Sequence, residues 1–363
     1  MTATTPNHGG GAVPVQMPEE FSPRHLARRL LGLAVLLAII AVAVSSLPGL
    51  GTLRSRFANA DAWFLVLIGA LKLASCLSNI VAFREVFCRR MSWRFSYQLG
   101  MAEQATNVLL PTGGAGGLAL GAWALRQGGM STGHIGRRSI AFFVLTSLPN
   151  FACAAVLGPL LAVGVFSGHV PVALTVAFSA LTWAAVAVIA ALPRVLGRID
   201  PSKPSGKVRG RLRSWAVVLE NGLRDTWMVL RTGRWPAIIG AAGYLGFDIA
   251  ALIAGFAAFG GGLPLAPLVF GYVIGQLGGL IPLPGGIGGT DGGLIGALVL
   301  YGSPLSQAVA AVLAYRAFQL GVPAVLGAFA FAALRRTLNQ SSSPAAACEP
   351  LAEADALPVV DLP

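Results

Sequence analysis

Charge is the scarcest property of this sequence. Only 11% of its 363 residues are Asp, Glu, Lys or Arg, against roughly 25% in an ordinary soluble domain, while 55% are hydrophobic. That balance excludes a water-soluble fold and points to an integral membrane protein built as a bundle of spanning helices. Cysteine and histidine are equally thin. Cys76, Cys88, Cys153 and Cys348 stand singly, and His8, His25, His134 and His169 lie in tails or loops. With no CxxC or His-spaced pattern, neither a disulfide framework nor a metal centre is expected, and no cofactor is implied. Also missing are a Walker motif, a Ser/His/Asp set, a general acid/base pair, and any polar stretch large enough for a catalytic domain. The chain is therefore not expected to be an enzyme or to bind nucleic acid. Two strings mimic motifs without their context. "HGGG" at His8 has no nucleophile turn downstream, and Gly114-Ala115-Gly116 followed by Ala119 has no preceding strand.

What is present is hydrocarbon in blocks. Full spans are predicted near 30–50, 63–83, 139–166, 172–193, 236–259 and 305–334, each near the ~20 residues needed to cross about 30 Å of hydrocarbon. More than twenty polar or mixed residues precede the first block, so that block is expected to be a retained helix and not a cleaved signal. Two further apolar segments, 97–125 and 266–301, are each broken midway by glycine and proline. They read as re-entrant hairpins of two half-helices. Six crossings then leave 22 of the 26 basic residues on one side and only Arg54 and Arg56 on the other. The positive-inside bias makes both termini cytoplasmic, in the plasma membrane.

Residues 1–24 and 337–363 are rich in Pro, Ala, Ser and Gly and read as disordered tails flanking a membrane domain at 25–336. The basic linker 194–235 carries Trp215, Val218, Leu219, Leu223, Trp227 and Leu230 at helical spacing. It is expected to lie as an amphipathic helix on anionic headgroups.

The two broken segments resemble one another. "LLPTGGAGG" (109–117) and "IPLPGGIGG" (281–289) share a GG-x-GG core at an offset of 172, and Gln104 then falls on Gln276. Span, broken hairpin and span recur at about 62–166 and 236–334. On the charge count the two copies enter the membrane from opposite sides, as an inverted repeat does. The turn residues are Pro111, Gly113 and Gly114 in the first copy and Pro284, Gly285, Gly286 and Gly288 in the second. Small residues four apart, among them Gly113, Gly117 and Gly121, also suit close helix packing.

Ionisable groups in hydrocarbon cost about 2.5–3.5 kcal/mol each on insertion scales, so every one is a candidate functional residue. Lys72 and Asp248 sit midway along the first spans of the two units and are expected to pair across them. Glu103 lies in the first arm of the first hairpin, and Asp291 just after the second glycine turn. Arg316, in the last span, is expected either to join Asp291 as a phosphate-binding pocket or to cap carbonyls of the broken helix. Gln104 and Gln276 complete the candidate headgroup set.

The stretch "IPLPGGIGGTDGGLIGALVLYGSPLSQAVAAVLAYRAFQL" resembles the most characteristic segment of the lysylphosphatidylglycerol synthase transmembrane region, a flippase-like family. The resemblance implies that Pro284, Gly285, Gly286 and Gly288 form the family's turn. It sets Asp291 where the family usually has Glu, and matches Arg316 to the family's Arg. It also implies translocation of an aminoacylated or anionic phospholipid, a glycolipid or a polyprenyl-linked intermediate, without the synthase's soluble domain and beside a possible cytoplasmic lipid-modifying enzyme. A small-solute or proton-coupled secondary transporter, with Glu103, Asp248 and Asp291 as its relay, and a non-transporting membrane scaffold are the competing expectations.

Overall fold

The computed structural model describes residues 28–32, 34–35, 55, 57–110, 115–127, 130–166, 170–196, 207–280 and 286–340, which are helical with short connections and include no strand. Most of the span expected at 30–50, the turn residues Pro111, Gly113, Gly114, Pro284 and Gly285, and most of both tails lie outside the described residues. Among the described residues the helices of ten or more are α1 (Ala62–Phe87), α2 (Trp93–Leu109), α3 (Ala115–Gln127), α4 (Thr132–Ala162), α5 (Val172–Leu196), α6 (Lys207–Arg231), α7 (Trp235–Ala258), α8 (Leu265–Gly275), α9 (Gly289–Leu300) and α10 (Leu305–Gln340). A 3-10 turn, Gln276–Leu280, extends α8.

Five of these, α1, α4, α5, α7 and α10, are long and apolar enough to cross a membrane. Each broken segment is two shorter helices, α2 with α3 and α8 with α9, packed against one another. Local chemistry sets where helices begin. Asp61 accepts from the Trp63 N–H at 2.9 Å to start α1, and Ser92 and Ser131 accept from Phe95 and His134 to start α2 and α4. Such caps satisfy amide donors that have no partner within the helix. The Ser131 cap explains why α4 begins seven residues before the apolar span predicted at 139. Hydropathy reports what sits in hydrocarbon, whereas a capped helix runs on through polar Arg137 and Arg138. α10 likewise continues through residues 337–340, which composition had assigned to the tail.

At the centre α1 lies along α7, and close approach is made by glycine. A β-carbon on Gly240 would sit 2.7 Å from Ala82 N and Ser78 O, and one on Gly243 2.8 Å from Ser78 Oγ. Elsewhere Gly327 of α10 admits Met101 and Ala105 of α2, and Gly255 of α7 faces Ala311 O of α10. Within the second broken segment, Gly275 and Gly278 meet Leu294, Gly289 and Thr290. Lipid tails are as apolar as leucine, so helices here are held by shape and hydrogen bonding more than by exclusion of water. Among the described residues three apolar clusters result, the smallest of them Cys76, Ile80, Met101 and Ala330; the other two are larger. One gathers Phe256, Phe270, Tyr301 and Tyr315 around the second segment, and the other gathers Phe83, Phe87, Met91 and Leu99 near the first.

Helix α6 is the amphipathic element expected in the linker. It docks on α4, with Gly222 against Ile140 and the Arg137 carbonyl and Thr226 Oγ1 donating to Ala141 O at 3.4 Å.

Gly240→Ala and Gly278→Ala each drive a methyl into backbone and are expected to destabilise the protein by about 1–3 kcal/mol. Gly292→Ala and Gly296→Ala meet nothing within 4 Å and are expected to be neutral or to gain up to about 1 kcal/mol from helix propensity. Thermal unfolding of the four variants in detergent checks this, and equal losses in all four would contradict it.

Candidate functional site

Asp248 is the junction of the buried polar groups. α1 and α7 bring Lys72 Nζ to 2.5 Å from Asp248 Oδ1, with both residues 4% exposed. The second oxygen is shared. Tyr272 of α8 and Tyr315 of α10 donate to Oδ2 at 2.6 and 2.5 Å, and Gln319 Nε2 reaches it at 3.4 Å. Lys72 also lies 5.8 Å from the centroid of the Tyr244 ring. A buried ion pair survives desolvation only when its remaining hydrogen-bonding capacity is filled, and here four helices fill it.

The network continues to the glycine turn. Gln319 Oε1 accepts from Arg316 at 2.6 Å, and Arg316 Nε donates to Asp291 Oδ1 at 2.5 Å. The other Asp291 oxygen accepts from the Gly288 N–H at 2.8 Å, so Asp291 caps α9 from its first turn. An anion there complements the positive end of the helix dipole. Gly286 and Gly288 take φ values of 68° and 87°, left-handed backbone that a β-carbon disfavours. A β-carbon on Gly286 would also press on the Thr290 hydroxyl. Lys72, Asp248, Gln319, Arg316, Asp291 and the Gly288 amide thus form one chain of contacts across both halves of the molecule.

The expected headgroup set divides in space. Gln276 lines a cavity of about 440 Å³ whose wall includes Asp248, Tyr244, Tyr272, Asn150 and Gln319. Asp291 and Arg316 do not line it, and Arg316 is 6% exposed and committed to protein partners. Its donors hold the turn through Asp291 and Gln319. Gln104 sits elsewhere, donating to the Cys76 carbonyl at 3.3 Å. Glu103 lies on the face of α2 that meets α3, its carboxylate against Gly121, while Asn107 one turn on accepts from the Gly117 N–H at 2.7 Å. Tyr244, Tyr272, Tyr315, Gln319 and Asn150 were not anticipated. A signal existed for two of them, because Tyr315 and Gln319 flank Arg316 within an otherwise apolar run.

The cavity reaches the perimeter of the bundle. Leu181 and Leu277 belong to its wall and are 62% and 43% exposed. A second, apolar cavity of about 640 Å³ adjoins it, lined by Cys153, Leu157, Ile249 and Ile253 among others, and shares Leu245 with the first. Away from both, Asp225 of α6 is held by Arg137 at 2.9 Å and Arg138 at 3.9 Å, tying α6 to the start of α4. Burial raises the Asp225 carboxyl above the ordinary aspartate range, with Arg138 and Arg137 opposing it. Among the described residues no three His, Cys, Asp or Glu side chains gather as a metal site would require.

Apolar helices long enough to span, closing around a neutralised charge network and a cavity with exposed wall residues, define a multi-pass helical membrane protein. The chain belongs to the lysylphosphatidylglycerol synthase TM region family, whose model matches residues 29–327. That membership ties it to membrane lipid metabolism. No curated protein matches the sequence.

Lys72→Met strands a buried carboxylate and is expected to cost about 3–5 kcal/mol. Lys72→Met/Asp248→Asn removes both charges, keeps an acceptor for the two tyrosines, and is expected to recover most of that loss. Equal destabilisation of the single and double variants, by thermal unfolding and yield of monodisperse protein, would refute the pairing as the source of the cost.

Proposed function

We propose that this protein moves a lipid between the two leaflets of the plasma membrane and has no synthase activity of its own. The observation that carries the reading is the cavity beside Asp248, polar at its floor and bounded by Leu181 and Leu277 at the protein's perimeter. A headgroup crossing hydrocarbon needs hydrogen-bonding partners on one side while its chains stay in lipid, and a laterally open cavity with a polar floor meets both needs. Family membership supports a lipid as cargo.

The helix contacts support the proposed inverted repeat. α1 with α7, α2 with α10 and α8 with α4, α3 with α4 and α9 with α10 all pack together. Exchanging the two units leaves that set of pairs unchanged. On this reading α2/α3 and α8/α9 are re-entrant hairpins, and both termini and α6 are cytoplasmic, as the basic residues require. Helix α6 would rest on anionic headgroups, within reach of a cytoplasmic lipid-modifying enzyme as partner.

One observation favours a second reading. Asp248 and Asp291 are paired with cations, but among the described residues Glu103 has none within 4.0 Å. A carboxyl so placed suits proton coupling, of lipid export or of a small solute.

Reconstitution into vesicles with fluorescent phospholipids or glycolipids and a membrane-impermeant quencher tests the proposal. Protein-dependent loss of inner-leaflet fluorescence is expected, reduced at least tenfold in the stable Lys72→Met/Asp248→Asn variant. Vesicles that shield every lipid class tested would overturn lipid translocation. Glu103→Gln is expected to slow movement driven by a pH gradient without affecting movement in its absence, and equal effects in the two conditions would exclude proton coupling at that residue.

A further inference from the structure

The charges around the polar cavity beside Asp248 are already spent. Lys72 balances Asp248 and Arg316 balances Asp291, each at 2.5 Å. Among the described residues the only charged side chain on the cavity wall is Asp248, and its two oxygens accept from Lys72, Tyr272, Tyr315 and Gln319. A phosphate bound there would meet neutral donors and no available cation. An ammonium headgroup would have to take Asp248 from Lys72.

Of the other polar side chains on the same wall, Thr182 donates to the Phe178 carbonyl at 2.9 Å, which leaves four: Ser147 and Asn150 of α4, Tyr244 of α7, and Gln276. None of their side chains has a hydrogen-bond partner among the described residues. Hydroxyls and carboxamides both donate and accept, and uncompensated polar groups facing a pocket are costly unless a ligand or water meets them. Their inventory therefore matches a ligand that is uncharged and rich in hydroxyls. The aromatic rings of Phe151, Phe178 and Tyr244 on the same wall suit the apolar faces of a sugar. The adjoining cavity, which shares Leu245, has no charged side chain in its lining and offers about 640 Å³ to acyl chain.

Resting on the lipid-translocation reading, we infer that the cavity binds the uncharged sugar headgroup of a glycosyl diacylglycerol, with an acyl chain in the apolar cavity beside it. Asn150 and Gln276 are the specificity-determining residues. Both lie outside the ion-pair network, so replacing them leaves the charge balance intact.

The test is native mass spectrometry of the purified full-length protein offered equimolar glucosyl diacylglycerol, phosphatidylglycerol and lysyl-phosphatidylglycerol with matched chains. Glucosyl diacylglycerol is expected to be retained at least tenfold over the other two. Asn150→Leu and Gln276→Leu are each expected to abolish that preference while unfolding at the wild-type temperature. Leu181→Trp, which narrows the lateral opening, serves as a second probe if either variant unfolds, and is expected to reduce retention of the glycolipid. Retention of phosphatidylglycerol or its lysyl ester at or above the glycolipid, unchanged by these substitutions, would overturn the inference. The same lipids in the vesicle assay separate the two levels. Translocation of phosphatidylglycerol without glycolipid retention overturns the headgroup assignment alone, and glycolipid retention without translocation of any lipid overturns the transport reading alone.

Discussion

The structure depends on the neutralisation of charge inside hydrocarbon. A lysine and an aspartate midway along apolar helices are tolerable only if they meet, and Lys72 and Asp248 meet at 2.5 Å. That requirement sets the register of α1 against α7, and glycines at 240 and 243 let the two backbones come close enough to satisfy it. The spare oxygen of Asp248 then draws in α8 through Tyr272 and α10 through Tyr315. One carboxylate thereby fixes the relative placement of four helices. The cost of leaving such a group unmatched is larger than the net value of the matched pair, so the arrangement is best understood as specifying one packing among many.

The broken helices obey a related constraint on the backbone. Amides freed by a glycine turn need acceptors, and at α9 the acceptor is the Asp291 carboxylate, held in turn by Arg316. At α3 the Asn107 side chain does the same for the Gly117 amide. Both pairs of short helices also use glycine to approach one another, so the same residue type that breaks the helix lets the pieces pack. The chemistry of the two turns differs. The first uses a neutral carboxamide, and the second an ion pair wired through Gln319 to Asp248, which makes the second turn the one connected to the cavity.

Much of this was legible in local sequence. The five long apolar helices, the two interrupted segments and the linker helix follow from runs, breakers and spacing, since the length needed to cross hydrocarbon and the conformational demands of glycine and proline act locally. The rarity of charge made Lys72, Asp248, Asp291 and Arg316 stand out individually. Less legible was what each would touch. Arg316 carried two readings, and only the position of α10 beside the turn assigns its donors to Asp291 and Gln319. Gln104 and Gln276 match under the 172-residue offset, yet one bonds a carbonyl of α1 and the other lines the cavity. Tyr244, Tyr272 and Asn150 passed unremarked because a tyrosine or asparagine in an apolar run is ordinary until its face is known.

By itself the sequence determined that this chain is a membrane protein of a particular family, where its helices run and break, and which residues cannot remain in hydrocarbon alone. Those properties depend on composition and short-range order, where the free energy of transfer and the conformational limits of glycine and proline apply residue by residue. Only the tertiary structure decided which charges cancel, which polar groups are left over, and that the leftovers share one cavity at the edge of the bundle. Such outcomes depend on the rotation of each helix about its axis, which is set jointly by contacts from residues as far apart as 72 and 248 or 150 and 276.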